Sequence, residues 1–181
     1  MKAPQKLSHQ IGGEWVPHRH PPVYRLEEHR LVAGVPDGDA DLFESLLAPL
    51  EGPFHLLYVL HTPRGEAEPG RYQSPLLDKP GVIAWLRTFS GFFAADAHFD
   101  LWLHDPATSA TLVWDRHNLL YAYGPVERFA DCLGELAFSE GEPSIPSPHE
   151  HHYRAEFDAD ARSLMASQAW SMSPLRPEDE Q

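Results

Sequence analysis

Two rhythms of apolar and polar residues run along this chain. The clearest is the period-two alternation from His98 to His104, with Phe99, Leu101 and Leu103 on one face and His98, Asp100, Trp102 and His104 on the other. It predicts a strand with one face in the core. Short polar turns at 105–109 and 116–118 then separate two further apolar stretches, Ala110 to Asp115 and Leu119 to Tyr123. Strands joined so closely form an antiparallel meander. The run from Phe54 to His61, bounded by Pro53 and Pro63, reads as a buried strand that joins it.

The second rhythm has helical spacing. Leu42, Phe43, Leu46, Leu47 and Leu50 make one apolar stripe behind the acidic start Asp39 to Asp41, and Gly52-Pro53 ends it. Asp78 before Lys79-Pro80 predicts a helix start, with Val82, Ile83, Leu86, Phe89 and Phe93 continuing one face to about Ala95. Gly124-Pro125 introduces a third helix whose stripe is Val126, Phe129, Ala130, Leu133 and Leu136. A last helix begins near Asp158 and carries Ala161, Leu164 and Met165.

These elements define the expected fold class, α+β: an antiparallel sheet made of the three-strand meander 98–123 plus strand 54–61, covered on one face by helices near 79–95 and 125–138. The expected core includes Leu56, Tyr58, Leu60, Leu86, Phe89, Leu101, Leu103, Phe129 and Leu133. Residues 1–22, polar and broken by Gly12, Gly13, Pro17, Pro21 and Pro22, read as an irregular arm. Residues 23–172 form the single domain, and 173–181 a flexible polar tail.

Composition narrows the function classes. Twenty-seven acidic residues against 14 basic ones give a net charge of -13. Nucleic-acid binding rests on Lys and Arg neutralising phosphates, so this balance opposes it, and it opposes anionic membrane surfaces equally. The single cysteine, Cys132, forms no internal disulfide, and the first residues lack an apolar leader-like run. Both point to a cytoplasmic setting. The acidic stretch 37–51, with Asp37, Asp39, Asp41, Glu44 and Glu51, contains no base. Such a surface steers basic partners, so the first functional expectation is a non-catalytic, immunity-like or accessory protein that binds a basic protein partner.

Histidine chemistry supplies the alternatives. In His149-Glu150-His151-His152, imidazoles and a carboxylate offer the usual ligands of a divalent transition metal, the cofactor such a cluster would take. The spacing is not the His-Glu-x-x-His of a zincin helix. On an extended segment His149 and His151 share a face while His152 points away. A second candidate is the polar sheet face: His55 and His61 from one strand, and His98, Asp100, Trp102 and His104 from another, converge if the two strands are neighbours. A metal-dependent or histidine-based enzyme would use one of these groups. The turn Asp115-Arg116-His117 is a third, with Asp115 and His117 in the relation of a base and its orienter. Trp85, Trp102 and Trp114 suggest an aromatic groove for a small molecule. No glycine-rich phosphate loop or nucleophile-elbow motif is present.

Overall fold

The computed structural model describes residues 4–179. In chain order they form β1 (Leu7–Ile11), β2 (Glu14–Pro17), β3 (Val23–Leu26), β4 (Arg30–Gly34), α1 (Ala40–Ser45), β5 (His55–Leu60) and β6 (Gly70–Gln73). Then come α2 (Lys79–Thr88), α3 (Ser90–Ala95), β7 (Phe99–Asp105), β8 (Ala110–Trp114), β9 (Leu119–Tyr123) and α4 (Val126–Glu135). β10 (Ser139–Glu140), β11 (His149–His151), α5 (Asp158–Ala166) and β12 (Ser171–Ser173) complete the chain.

The expected four-strand antiparallel sheet is overturned. The main sheet has nine strands in the order β10-β3-β4-β9-β8-β7-β5-β6-β12, and it is mixed, because β10 runs parallel to β3. A second sheet of three strands has the order β11-β1-β2. The strands at the centre of the large sheet are those whose alternation is plainest in the sequence, while β10, β6 and β12 are short pieces recruited at its edges. β10 and β12 pair with β3 and β6, partners far along the chain, which local periodicity does not encode.

β5 and β7 are antiparallel neighbours with Leu57 opposite Trp102 and His55 opposite His104. One face of the sheet carries Leu56, Tyr58, Leu60, Phe99, Leu101, Leu103, Leu112, Trp114, Leu120 and Ala122 into a core shared with Phe43, Leu86, Phe93, Phe129 and Leu133 from the helices. Helix starts follow local chemistry. The Asp39 carboxylate accepts from the Asp41 amide, and that of Asp78 accepts from the Gly81 amide, so each supplies an otherwise missing N-terminal acceptor. The stripe running on to Ala95 is two helices, α2 and α3, broken at Phe89, whose backbone leaves helical geometry at φ -107° and ψ 13°.

Residues within 1–22, expected as an irregular arm, form the β1–β2 hairpin. Gly12 and Gly13 both take positive φ, 61° and 88°, the conformation that a two-residue hairpin turn demands and only glycine adopts cheaply. The expected tail is also tied down as far as it is described. β12 pairs with β6, and the Asp179 carboxylate is buried against the Arg71 guanidinium on the face of the sheet opposite the helices. Residues 1–3, 180 and 181 lie outside the described residues. Among the described residues no helix is long and apolar enough to cross a membrane.

Candidate functional site

The small sheet sits against the β8–β9 turn, and its construction decides which histidines meet. β11 pairs with β1 so that His149 lies opposite His9 and His151 opposite Leu7. With a period of two, the side chains of His149 and His151 fall on the same face. The β8–β9 turn presents His117 to that face. Its shape is fixed by Asp115, whose Oδ1 accepts from the His117 amide at 2.9 Å and the Leu119 amide at 2.8 Å. Asn118 takes the left-handed conformation at φ 57°, and its Oδ1 accepts from the Trp114 indole at 3.1 Å. Beneath the turn lies Lys6, fully buried, its ammonium donating to the Asp115 carbonyl at 3.2 Å and standing 4.3 Å from the Trp114 ring centre. Burial pushes Lys6 down to about 8, with Asp115, Asp100 and Asp96 opposing the shift.

His117, His149 and His151 therefore converge from two places more than thirty residues apart in sequence. One nitrogen of each lies within 4.8 Å of the other two. Tetrahedral zinc, with Zn–N bonds of about 2.05 Å, would draw such atoms to about 3.3 Å from one another. Ring centres stand 4.7 Å apart for His117 and His151, and 5.5 Å for the other two pairs.

Hydrogen bonding orients the rings. His117 Nδ1 lies 3.1 Å from Asp115 Oδ2, and His149 Nδ1 lies 3.1 Å from the Pro146 carbonyl. Both partners are acceptors, so each Nδ1 carries the proton and each Nε2 keeps its lone pair. A ligating histidine normally shows this arrangement, with its second nitrogen donating to a carboxylate or carbonyl. His151 Nε2 is buried and makes no hydrogen bond among the described residues. Burial, reinforced by His117, Arg116, His149 and Lys6, pushes His151 down to about 3, so its lone pair is available throughout the neutral range.

Three more histidines surround this trio. The His18 ring lies edge-on to those of His9 and His20, with centres 5.0 and 4.5 Å away. His20 Nε2 donates to the His117 carbonyl at 2.9 Å, tying a third segment to the turn. Burial, then the neighbouring His20, His9 and His149, push His18 down to about 4. Thus, with His152 bound to Ser8 of β1, seven of the twelve histidines gather around one small sheet and one turn.

The four-residue cluster 149–152 divides in two. His149 and His151 enter the trio, whereas His152 Nε2 pairs with the Ser8 hydroxyl at 2.6 Å and Glu150 Oε1 lies 4.0 Å from His152. Of the sheet-face residues, all but His98 share the face of neighbouring strands, in two groups. His55 donates through Nδ1 to the Ser74 carbonyl, and His104 Nδ1 pairs with the Thr111 hydroxyl, each at 2.9 Å, and both line one groove with Trp102. His61 Nε2 pairs with Asp100 Oδ2 at 2.8 Å. His98 lies apart from them, fully buried beside Tyr58, Phe92 and Phe99. The union of His117 with β11 is not predicted from sequence, and neither are the roles of His9, His18 and His20. The signals present were His18 and His20 two residues apart, and a Gly-Gly turn just before them.

A cavity of about 160 Å³ adjoins the site, with His117 and Asp115 in its wall beside Arg30, Trp102 and Tyr121. No family model matches the chain, and no curated protein or solved structure matches it either.

Proposed function

We propose that this protein binds one divalent transition-metal ion of the zinc class through His117, His149 and His151, and works as a metal-dependent enzyme on a small molecule. The observation that carries this reading is the convergence of three imidazole nitrogens within 4.8 Å, in rings two of which are oriented by an acceptor at Nδ1. Three neutral imidazoles form a donor set typical of catalytic zinc, leaving a fourth position for water or a substrate oxygen. An ion so held acts as a Lewis acid and brings the pKa of bound water to about 7. Asp115 serves as the positioning residue, holding His117 in the tautomer that ligates.

The acidic-surface reading rests on net charge and the stretch 37–51, which fix no atoms for a partner to meet, whereas the imidazole trio names atoms. A single cysteine and many neutral imidazoles suit work in a reducing cytoplasm, with no polyanion as partner. Cobalt(II) titration of the untagged protein tests the proposal. Intense visible absorption of tetrahedral cobalt, saturating at one equivalent and lost in His151→Ala, is expected. Weak octahedral-type absorption, unchanged in His151→Ala, would overturn it.

A further inference from the structure

The cavity beside His117 is lined by charged groups of both signs, so its preference depends on which of them still have hydrogen bonds to give. Of its four wall carboxylates, Asp100, Asp115 and Asp179 already accept hydrogen bonds, while Glu178 stands at the exposed rim, 3.9 Å from the Arg176 guanidinium. Asp100 accepts from the Arg116 amide at 2.8 Å and from His61 at 2.8 Å. Asp115 accepts from the His117 amide, the Leu119 amide and His117 Nδ1. Asp179 accepts from the Arg71 guanidinium and, at 2.8 Å, from the Arg176 amide.

The donors are not spent. Trp102 Nε1–H is buried and makes no hydrogen bond among the described residues. In an indole this is the sole polar group, and leaving it unpaired in a protein interior is costly. Arg30 donates through Nε to Glu27 at 2.5 Å and through Nη1 to the Tyr123 hydroxyl at 3.1 Å, which leaves N–H groups of its fork over. Its guanidinium lies 5.1 Å from the Tyr121 ring centre, so the flat wall is set beside the charge. Burial and the nearby Asp115 carboxylate raise the Tyr121 phenol well above its usual value, so its hydroxyl remains a donor.

We propose that this cavity is a binding site for a small organic acid, a carboxylate carried on a group of about ring size, whose oxygens take hydrogen bonds from Trp102, Arg30 and Tyr121. The size follows from the volume: about 160 Å³ is close to the roughly 150 Å³ that accommodates benzene in a protein interior. A ligand seated there lies against His117, a member of the imidazole trio. The assignment deepens the metal-dependent reading by naming its substrate class, and rests on that reading only for the reaction, not for the binding.

The probe is benzoate, titrated by calorimetry into the full chain, both with one equivalent of zinc and after exhaustive EDTA treatment. Benzyl alcohol and tetramethylammonium serve as the neutral and cationic comparisons. Benzoate is expected to bind in both preparations, at least tenfold more tightly than benzyl alcohol, while tetramethylammonium does not bind. Tyr121→Phe, which removes one hydroxyl and leaves the ring, is expected to weaken benzoate at least fivefold, and Arg30→Met more. Stronger binding of the cation, equal binding of acid and alcohol, or benzoate affinity unchanged in Tyr121→Phe would overturn the assignment. Zinc binding without benzoate binding removes this inference alone. Benzoate binding by a chain that takes up no zinc removes the metal reading alone.

Discussion

Two histidine-rich regions of this protein use the same residue types to opposite ends. Around His98 the chemistry is closed. Its Nδ1 pairs with Asp96, and its Nε2 lies 3.3 Å from the Tyr58 hydroxyl and 3.0 Å from Glu66 Oε1, close enough for electrostatic pairing although outside hydrogen-bond alignment. Asp96 is held below the usual carboxylate range despite burial, because His98, the Arg154 amide and Arg64 all favour its charged form. Around His117, His149 and His151 the chemistry is open, with one nitrogen of each within 4.8 Å of the others and the buried His151 Nε2 without a hydrogen bond among the described residues. Burial alone does not separate the two regions, since His20 is nearly as hidden as His98. The difference lies in whether each ring nitrogen already has a partner, and that accounting distinguishes a structural histidine from a ligand.

The largest effect should come from opening the closed region. His98→Ala leaves Asp96 and Glu66 buried without their imidazole, and a loss of about 3–5 kcal/mol in unfolding free energy is expected, read by urea denaturation. Zinc stoichiometry of the fraction that remains folded should be unchanged. A mild loss of stability accompanied by loss of metal would erase the distinction between the two regions. Next in size is Asp115→Asn, which keeps an oxygen for the turn but weakens the acceptor for His117 Nδ1–H. Zinc affinity should fall about 10–100-fold by competition with a chromophoric chelator. Unaltered affinity would mean that Asp115 shapes the turn and nothing more.

The open region should also respond to pH in a defined direction. His151 and His18 are held at about 3 and about 4, and His20 and His152 are lowered as well. The ordinary value, 6.5, applies in the unfolded chain. Between these values the unfolded chain binds protons that the folded one refuses, so stability is complete above about pH 6.5 and declines as pH falls toward 4. The melting temperature of zinc-free protein should therefore drop steadily from pH 7 to pH 5. A flat profile would mean that these imidazoles are open to water and easily protonated. The smallest expected effect is that of Gly12→Ala, which puts a side chain into left-handed backbone with nothing within 4 Å to clash against. A loss of about 1 kcal/mol is expected by urea denaturation, and a neutral result would show that the hairpin turn relaxes without cost.

How much of this was legible in the sequence depends on the range of the interactions. The alternation from His98 to His104 marks β7, and the same period of two places His149 and His151 on a common face, because both are local properties of an extended chain. The breadth of the sheet was not legible. Pairing of β3 with β10, or of β6 with β12, joins residues about a hundred apart, and two or three residues of strand have no periodicity to read. The meeting of His117 with β11 depends likewise on β1 pairing with β11 across some 140 residues. The Gly12-Gly13 turn was a local signal, masked by the polar residues around it. Trp102 was placed on the face opposite the core by its alternation, but that its indole N–H lacks a partner depends on the C-terminal residues folding over that face.

The most direct test of the central claim is elemental analysis of untagged protein purified without nickel or chelator, alongside His117→Ala, His149→Ala and His151→Ala. Close to one equivalent of zinc, or another divalent transition metal, is expected in the parent chain and a small fraction of that in each variant, with all four chains folded by circular dichroism. Metal absent from the parent, and not taken up from added zinc, would contradict that claim. So would metal retained in all three variants.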